Sequence, residues 1–88
     1  MNKVTVEEVR RFLTDKYASA IQGVGLDPAT VPDDFDFLLS GVVDSFGILE
    51  MVSSIEKQFG IELDLTSLDA EKMTILGPLS RYVAETAK

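Results

Sequence analysis

An 88-residue chain has room for one compact domain around one modest core, and 45% apolar residues are enough for it to fold. With 15 acidic and 8 basic residues the net charge is −7, which disfavours nucleic acid and anionic membrane surfaces and makes basic partners the natural expectation. There is no cysteine and no histidine, so no disulfide, thiolate nucleophile or Cys-based metal site can be built, and the commonest general base and metal ligand are missing too. A self-contained hydrolase is not expected, and any thiol this protein uses must be imported.

Near the N-terminus, Glu7 and Glu8 fall where a signal peptide would carry its apolar run, and no stretch approaches membrane-spanning length. A cytoplasmic monomer without membrane insertion is the expectation. Thr5 can cap a first helix, and Val6, Val9, Phe12, Leu13, Tyr17 and Ile21 recur at three- and four-residue spacings. That periodicity predicts a helix from Val6 to about Ala20. Gly23, Gly25 and Pro28 then break helical geometry and open a long loop. The loop runs through Val31, Phe35, Phe37, Leu38 and Leu39, an apolar density that predicts packing of some of them on the core.

The helical period returns over Ser45–Phe59, and Gly60 is the residue type that ends a helix in a left-handed turn. At about 100° per residue, Ile48, Met51, Val52, Ile55 and Phe59 share the buried face of this second helix. Phe46 falls on the opposite side with Glu50, Ser53 and Lys57, and Leu49 lies at the margin. An exposed pair such as Phe46 and Leu49 is a contact patch in prospect. Ile61, Leu63 and Leu65 alternate with acids, but a lone short strand has no partner, so the segment reads as an extended connector. Thr66, Ser67 and Asp69 have capping-box character and predict a short third helix ending near Lys72. Thr74 precedes a last helix containing Leu76, Leu79 and Val83, with Pro78 confined to its first turn.

Ser45 is the residue with chemistry to explain. As the first residue of the second helix it has two compatible readings. It can be a helix cap whose oxygen accepts a free backbone N–H, or the anchor of a phosphate, which the unpaired N–H groups and positive end of a helix favour. The acids concentrate between Asp27 and Glu71, where Lys57 is the only cation. Taken alone, such charge serves solubility as well as docking.

From Asp33 to Val83 the chain resembles the acyl carrier protein family. The Asp44-Ser45 pair opening the second helix, Glu50, Phe59-Gly60-Ile61, and the run from Asp69 through Glu71 to Thr74 stand in the family's order. The resemblance implies an all-α fold, a small four-helix bundle of three main helices plus one short helix with a long first loop, filling residues 1–88 as a single domain. It implies that Ser45 receives 4'-phosphopantetheine from coenzyme A through a separate phosphopantetheinyl transferase. Asp44 would be recognised by that transferase, and Phe46 and Leu49 would flank the arm. Basic docking patches of partner enzymes would meet Glu50, Glu56, Asp69 and Glu71. Asp44-Ser45-Phe46 replaces the family's familiar Asp-Ser-Leu, and Gly47 and Lys57 stand where acids are common, so a specialised partner set is implied.

The implied function is that of a carrier, not an enzyme, tethering acyl intermediates as thioesters for fatty-acid, polyketide or related lipid biosynthesis. An aminoacyl or D-alanyl carrier loaded by an adenylating ligase uses the same serine and is the nearest alternative. A helical interaction module with Ser45 as a mere cap is the remaining one.

Overall fold

The computed structural model describes residues 4–63 and 72–87, and these form a small all-α bundle. Its α-helices are α1 (Val6–Lys16), α2 (Ala18–Gly23), α3 (Ser45–Phe59) and α4 (Leu76–Thr86), with short 3-10 turns at Pro28–Thr30 and Lys72–Thr74. No helix among the described residues is long and apolar enough to cross a membrane.

At the start of α1 the Thr5 hydroxyl accepts the Glu8 N–H at 3.1 Å, as the sequence leads one to expect of a threonine before an acidic first turn. The expected single first helix is instead two. The chain turns at Tyr17, whose backbone leaves helical geometry at φ −108°, ψ 21°. Hydrogen bonding nevertheless continues, from the Tyr17 N–H to the Leu13 carbonyl at 3.1 Å and from the Ile21 N–H to the Tyr17 carbonyl at 2.9 Å. The chain then stays helical beyond Ala20 to Gly23, and Ile21 is fully buried on it.

Val9 and Leu13 of α1, Ile21 of α2, Met51 and Ile55 of α3, and Leu76, Leu79 and Val83 of α4 are fully buried and make one core. Each contributes about 1.5–3 kcal/mol on leaving water. On α3 the predicted inner face is the observed one, with Met51, Val52 and Ile55 buried and Ile48 and Phe59 packed at its edge. Gly60 ends that helix at φ 65°, its N–H returning to the Glu56 carbonyl. Residues 61–63 continue as irregular chain with Leu63 buried. The expected short helix between Thr66 and Lys72 lies, except for Lys72 itself, outside the described residues.

The long loop crosses the bundle and is pinned to it. Phe35 and Phe37 are buried with their rings edge to face at 5.1 Å, and Tyr17 tilts onto Phe37 at 5.6 Å. The Asp33 carboxylate takes a guanidinium from Arg10 of α1 and another, at 3.1 Å, from Arg81 of α4. Arg10 also donates to the Val31 carbonyl at 2.8 Å.

The loop also caps the last helix. Ile75, not Thr74, occupies the N-cap of α4 and makes no side-chain cap bond. The Leu76 N–H instead donates to the Phe35 carbonyl at 2.9 Å and the Gly77 N–H to the Asp33 carbonyl at 2.8 Å. Pro78 has no N–H to satisfy, and Leu79 closes the first helical bond to Ile75 at 3.0 Å. Gly77 makes this approach possible, because a Cβ there would lie 2.7 Å from the Asp33 carboxyl carbon.

Candidate functional site

The chain reaches Ser45 through a tightly closed turn. The Asp36 carboxylate accepts the N–H groups of Leu38 at 2.9 Å and Leu39 at 3.0 Å, and the Ser40 N–H returns to the Asp36 carbonyl at 3.0 Å. Gly41, at φ 83°, provides the left-handed step that reverses the chain. The turn shuts where the Val43 N–H meets the Phe37 carbonyl at 3.0 Å, and Val43 buries its side chain. Asp44 follows immediately. The start of α3 is thus set by a loop anchored in the core at Phe37.

Asp44 is the cap of α3. Its Oδ1 accepts the Gly47 N–H at 2.7 Å, and its carbonyl accepts the Ile48 N–H at 3.0 Å. Gly47 suits this close cap, since a Cβ there would press on Val43 at 3.0 Å and on the Asp44 carboxylate oxygen at 3.2 Å. Ser45 is therefore the first residue inside the helix, and the cap reading of its hydroxyl gives way to Asp44. Among the described residues Ser45 Oγ has no hydrogen-bond partner, and Ser45 is exposed. The N–H groups of Ser45 and Phe46 precede the first intrahelical bond and take no carbonyl of the helix.

An exposed hydroxyl with no structural task, next to free N–H groups at the positive end of a 15-residue helix, suits a phosphodiester bonded to that oxygen. The residues present fit a phosphate-linked group: Ser45 Oγ would supply the ester oxygen, and the backbone N–H groups at the helix start would meet its negative charge.

Phe46 is 82% and Leu49 59% exposed, so both lie on the open side of α3, as the helical wheel requires. Glu50 is exposed on the same helix, and its negative charge reaches Tyr17. The Tyr17 phenol is held above its ordinary range, first by burial and then by that charge. Glu56 has an internal contact, accepting the Leu63 N–H at 2.9 Å and so fastening the chain that leaves α3. Asp69 and Glu71 lie outside the described residues.

Two features were not singled out from sequence. Asp44 and Ser45 are adjacent and both of capping type, so composition does not say which one caps. Apolar density predicts that some of the loop's hydrophobic residues pack on the core, as Val31, Phe35 and Phe37 do, without saying that Leu38 and Leu39 are the ones that point outward, Leu39 at 86% exposure. The local signal for the turn was present in Asp36 and Gly41, an acceptor before the leucines and a glycine after them.

A family model described as "Phosphopantetheine attachment site" matches residues 18–77, from the start of α2 to the first turn of α4. No solved structure matches the chain.

Proposed function

This chain belongs to the phosphopantetheine-attachment family, whose prosthetic group is 4'-phosphopantetheine, and from that premise we propose that Ser45 is its attachment residue. The observation that carries the assignment is the free, exposed Ser45 hydroxyl at the first position of α3, relieved of capping by Asp44. When bound, the arm supplies the thiol that a chain without cysteine lacks. The protein's own residues hold and present it. Asp44 fixes the helix end, the N–H groups of Ser45 and Phe46 face the phosphate, and Phe46 and Leu49 border the tether.

The cargo is acyl, carried as a thioester between enzymes of fatty-acid, polyketide or related biosynthesis, and the chain itself is non-catalytic. Exposed Asp44 and Glu50 favour partners with basic docking patches, such as the transferase that attaches the arm and the ligase or acyltransferase that loads it. Such attraction speeds encounter and weakens with salt.

Intact mass after incubation with a promiscuous phosphopantetheinyl transferase and coenzyme A tests the attachment. The wild type gains one arm and Ser45→Ala gains none. A wild type that stays unmodified, or an equal gain on Ser45→Ala, rejects the assignment. Offering the holo form acyl donors with acyltransferases, or amino acids with adenylating ligases, tests the cargo by which thioester accumulates.

A further inference from the structure

A cleft of about 420 Å³ lies between α1 and the last turn of α3, at the far end of that helix from Ser45. Ser45 and Phe59 are the first and last of its 15 residues, so about 21 Å of helix axis separates them. The apolar lining of the cleft is Phe12 and Phe59, which pack half-buried against the core with their rings edge to face at 5.6 Å. Its charged lining is Glu7, Glu8, Asp15 and Arg11, all four of them exposed. Among the described residues none of the four is in an ion pair, and the Glu8 carboxylate takes only a 3.4 Å bond from the Thr5 hydroxyl.

Helix stability accounts for only part of this charge. Glu7 and Glu8 stand in the first turn of α1, where an acid favours the helix. Asp15 stands in the last turn, against the negative end of its own helix, and no ion pair among the described residues offsets it. The C-terminal end of α3 adds partial negative charge on the other side of the cleft. Three carboxylates and a helix C-terminus thus stand against one guanidinium.

We propose that this cleft is a docking point for an arginine side chain of a partner protein. Charge selects a cation, and the aromatic lining selects arginine. A guanidinium is planar and weakly hydrated, stacks on aromatic rings and pairs with a carboxylate through two parallel N–H groups, whereas the lysine ammonium is a compact, strongly hydrated charge. A partner held here leaves the Ser45 end of α3 uncovered, so the chain can stay bound while a second enzyme reaches that end. The docking point itself does not depend on which residue bears the arm.

Amide chemical shifts of the full chain, titrated with the capped tripeptide acetyl-Gly-Arg-Gly-amide, test the site. The same peptide with lysine, the same with citrulline, which keeps the shape of arginine without its charge, and spermidine are titrated beside it. The expected result is a saturable shift of the amides from Glu7 to Asp15 and from Gln58 to Gly60, with a Kd in the millimolar range. The citrulline peptide binds at least about ten-fold more weakly, having lost the charge-assisted pairing and the cation–π contact together. Asp15→Asn weakens the arginine peptide about three-fold, the size of one exposed charge contact, without lowering the melting temperature.

No saturable shift at the cleft, or equal shifts with the citrulline peptide, overturn the proposal. So do shifts centred on Asp44 and Glu50, which would put the cation at the other end of α3. Equal affinity for the lysine peptide or for spermidine also rejects it, since the cleft would then attract cations in general. Wild-type affinity in Asp15→Asn would remove that carboxylate from the site and reject the proposal as well.

Discussion

Two helix starts in this protein solve one problem in opposite ways. Both α3 and α4 begin with backbone N–H groups that no helical carbonyl can satisfy. At α4 the crossing loop supplies the acceptors, the carbonyls of Phe35 and Asp33, and Gly77 lets it come close enough to seal the end. At α3 the acceptor is local, the Asp44 side chain, and it reaches only Gly47, leaving Ser45 and Phe46 open to solvent. The sealed end is structural and the open end is where a phosphate can sit. Openness at Ser45 follows from capping by a neighbouring side chain instead of by a distant piece of backbone.

Phe37 joins the two ends, and replacing it is the strongest way to break the contrast. Its ring is fully buried, its N–H donates to the Thr74 carbonyl at 2.8 Å on the α4 side, and its carbonyl accepts from Val43 on the α3 side. Phe37→Ala should lower stability by about 3–5 kcal/mol in urea unfolding. Amide exchange should rise at both helix starts together. A rise confined to one of them would show that the starts are set independently.

The second test separates the ends. Gly77→Ala places a carbon against Asp33 and should destabilise by about 1–3 kcal/mol, the range for crowding a packed contact. Rapid exchange should then appear at Leu76 and Gly77 and not at Gly47. A neutral or stabilised variant would mean that the loop can withdraw and that alanine's better helix propensity decides the outcome. The sealed end is therefore sensitive to added bulk. Because its acceptors are carbonyls, deleting a single side chain does not remove them.

The open end has the reverse sensitivity. Asp44→Ala removes the acceptor of the Gly47 N–H and should cost about 0.5–2 kcal/mol, whereas Asp44→Asn, an equally good cap, should be close to neutral in thermal melting. Equal losses in the two variants would assign the contribution of Asp44 to its charge near the helix dipole instead of to its hydrogen bond.

The same contrast separates what the sequence makes legible from what it hides. The limits of α3 can be read because their determinants are local, a capping residue at one end and Gly60 at the other. Its outward Phe46 and Leu49 follow from periodicity alone. The cap of α4 cannot be read, because Thr74 is the capping residue by type while the real acceptors lie some forty positions upstream in the loop. The bend at Tyr17 is hidden for a related reason. The spacing of Leu13, Tyr17 and Ile21 runs straight through it, and backbone hydrogen bonds continue across it while only the dihedral angles change. Apolar density shows that part of the loop packs on the core but not which part, and it is the turn at Asp36 that leaves Leu38 and Leu39 outside.

Tyr17 offers the finest probe, because it touches both sides of the comparison. Its ring lies on Phe37, the link between the two starts, and its phenol senses the charge of Glu50 on the open helix. Burial and that charge both raise the phenol above its ordinary value of about 10, so the folded protein holds the proton more tightly than the unfolded chain does. The stabilisation linked to this group is therefore complete below about pH 10 and is lost as pH rises through the folded-state value. Melting temperature measured from pH 8 to pH 11 should fall more steeply above pH 10 in the wild type than in Tyr17→Phe. The smaller component should disappear in Glu50→Gln, which leaves burial alone to oppose ionisation. Identical slopes for wild type and Tyr17→Phe would mean that the phenol is as free to ionise in the folded protein as in the unfolded chain, and that neither burial nor the charge of Glu50 acts on it.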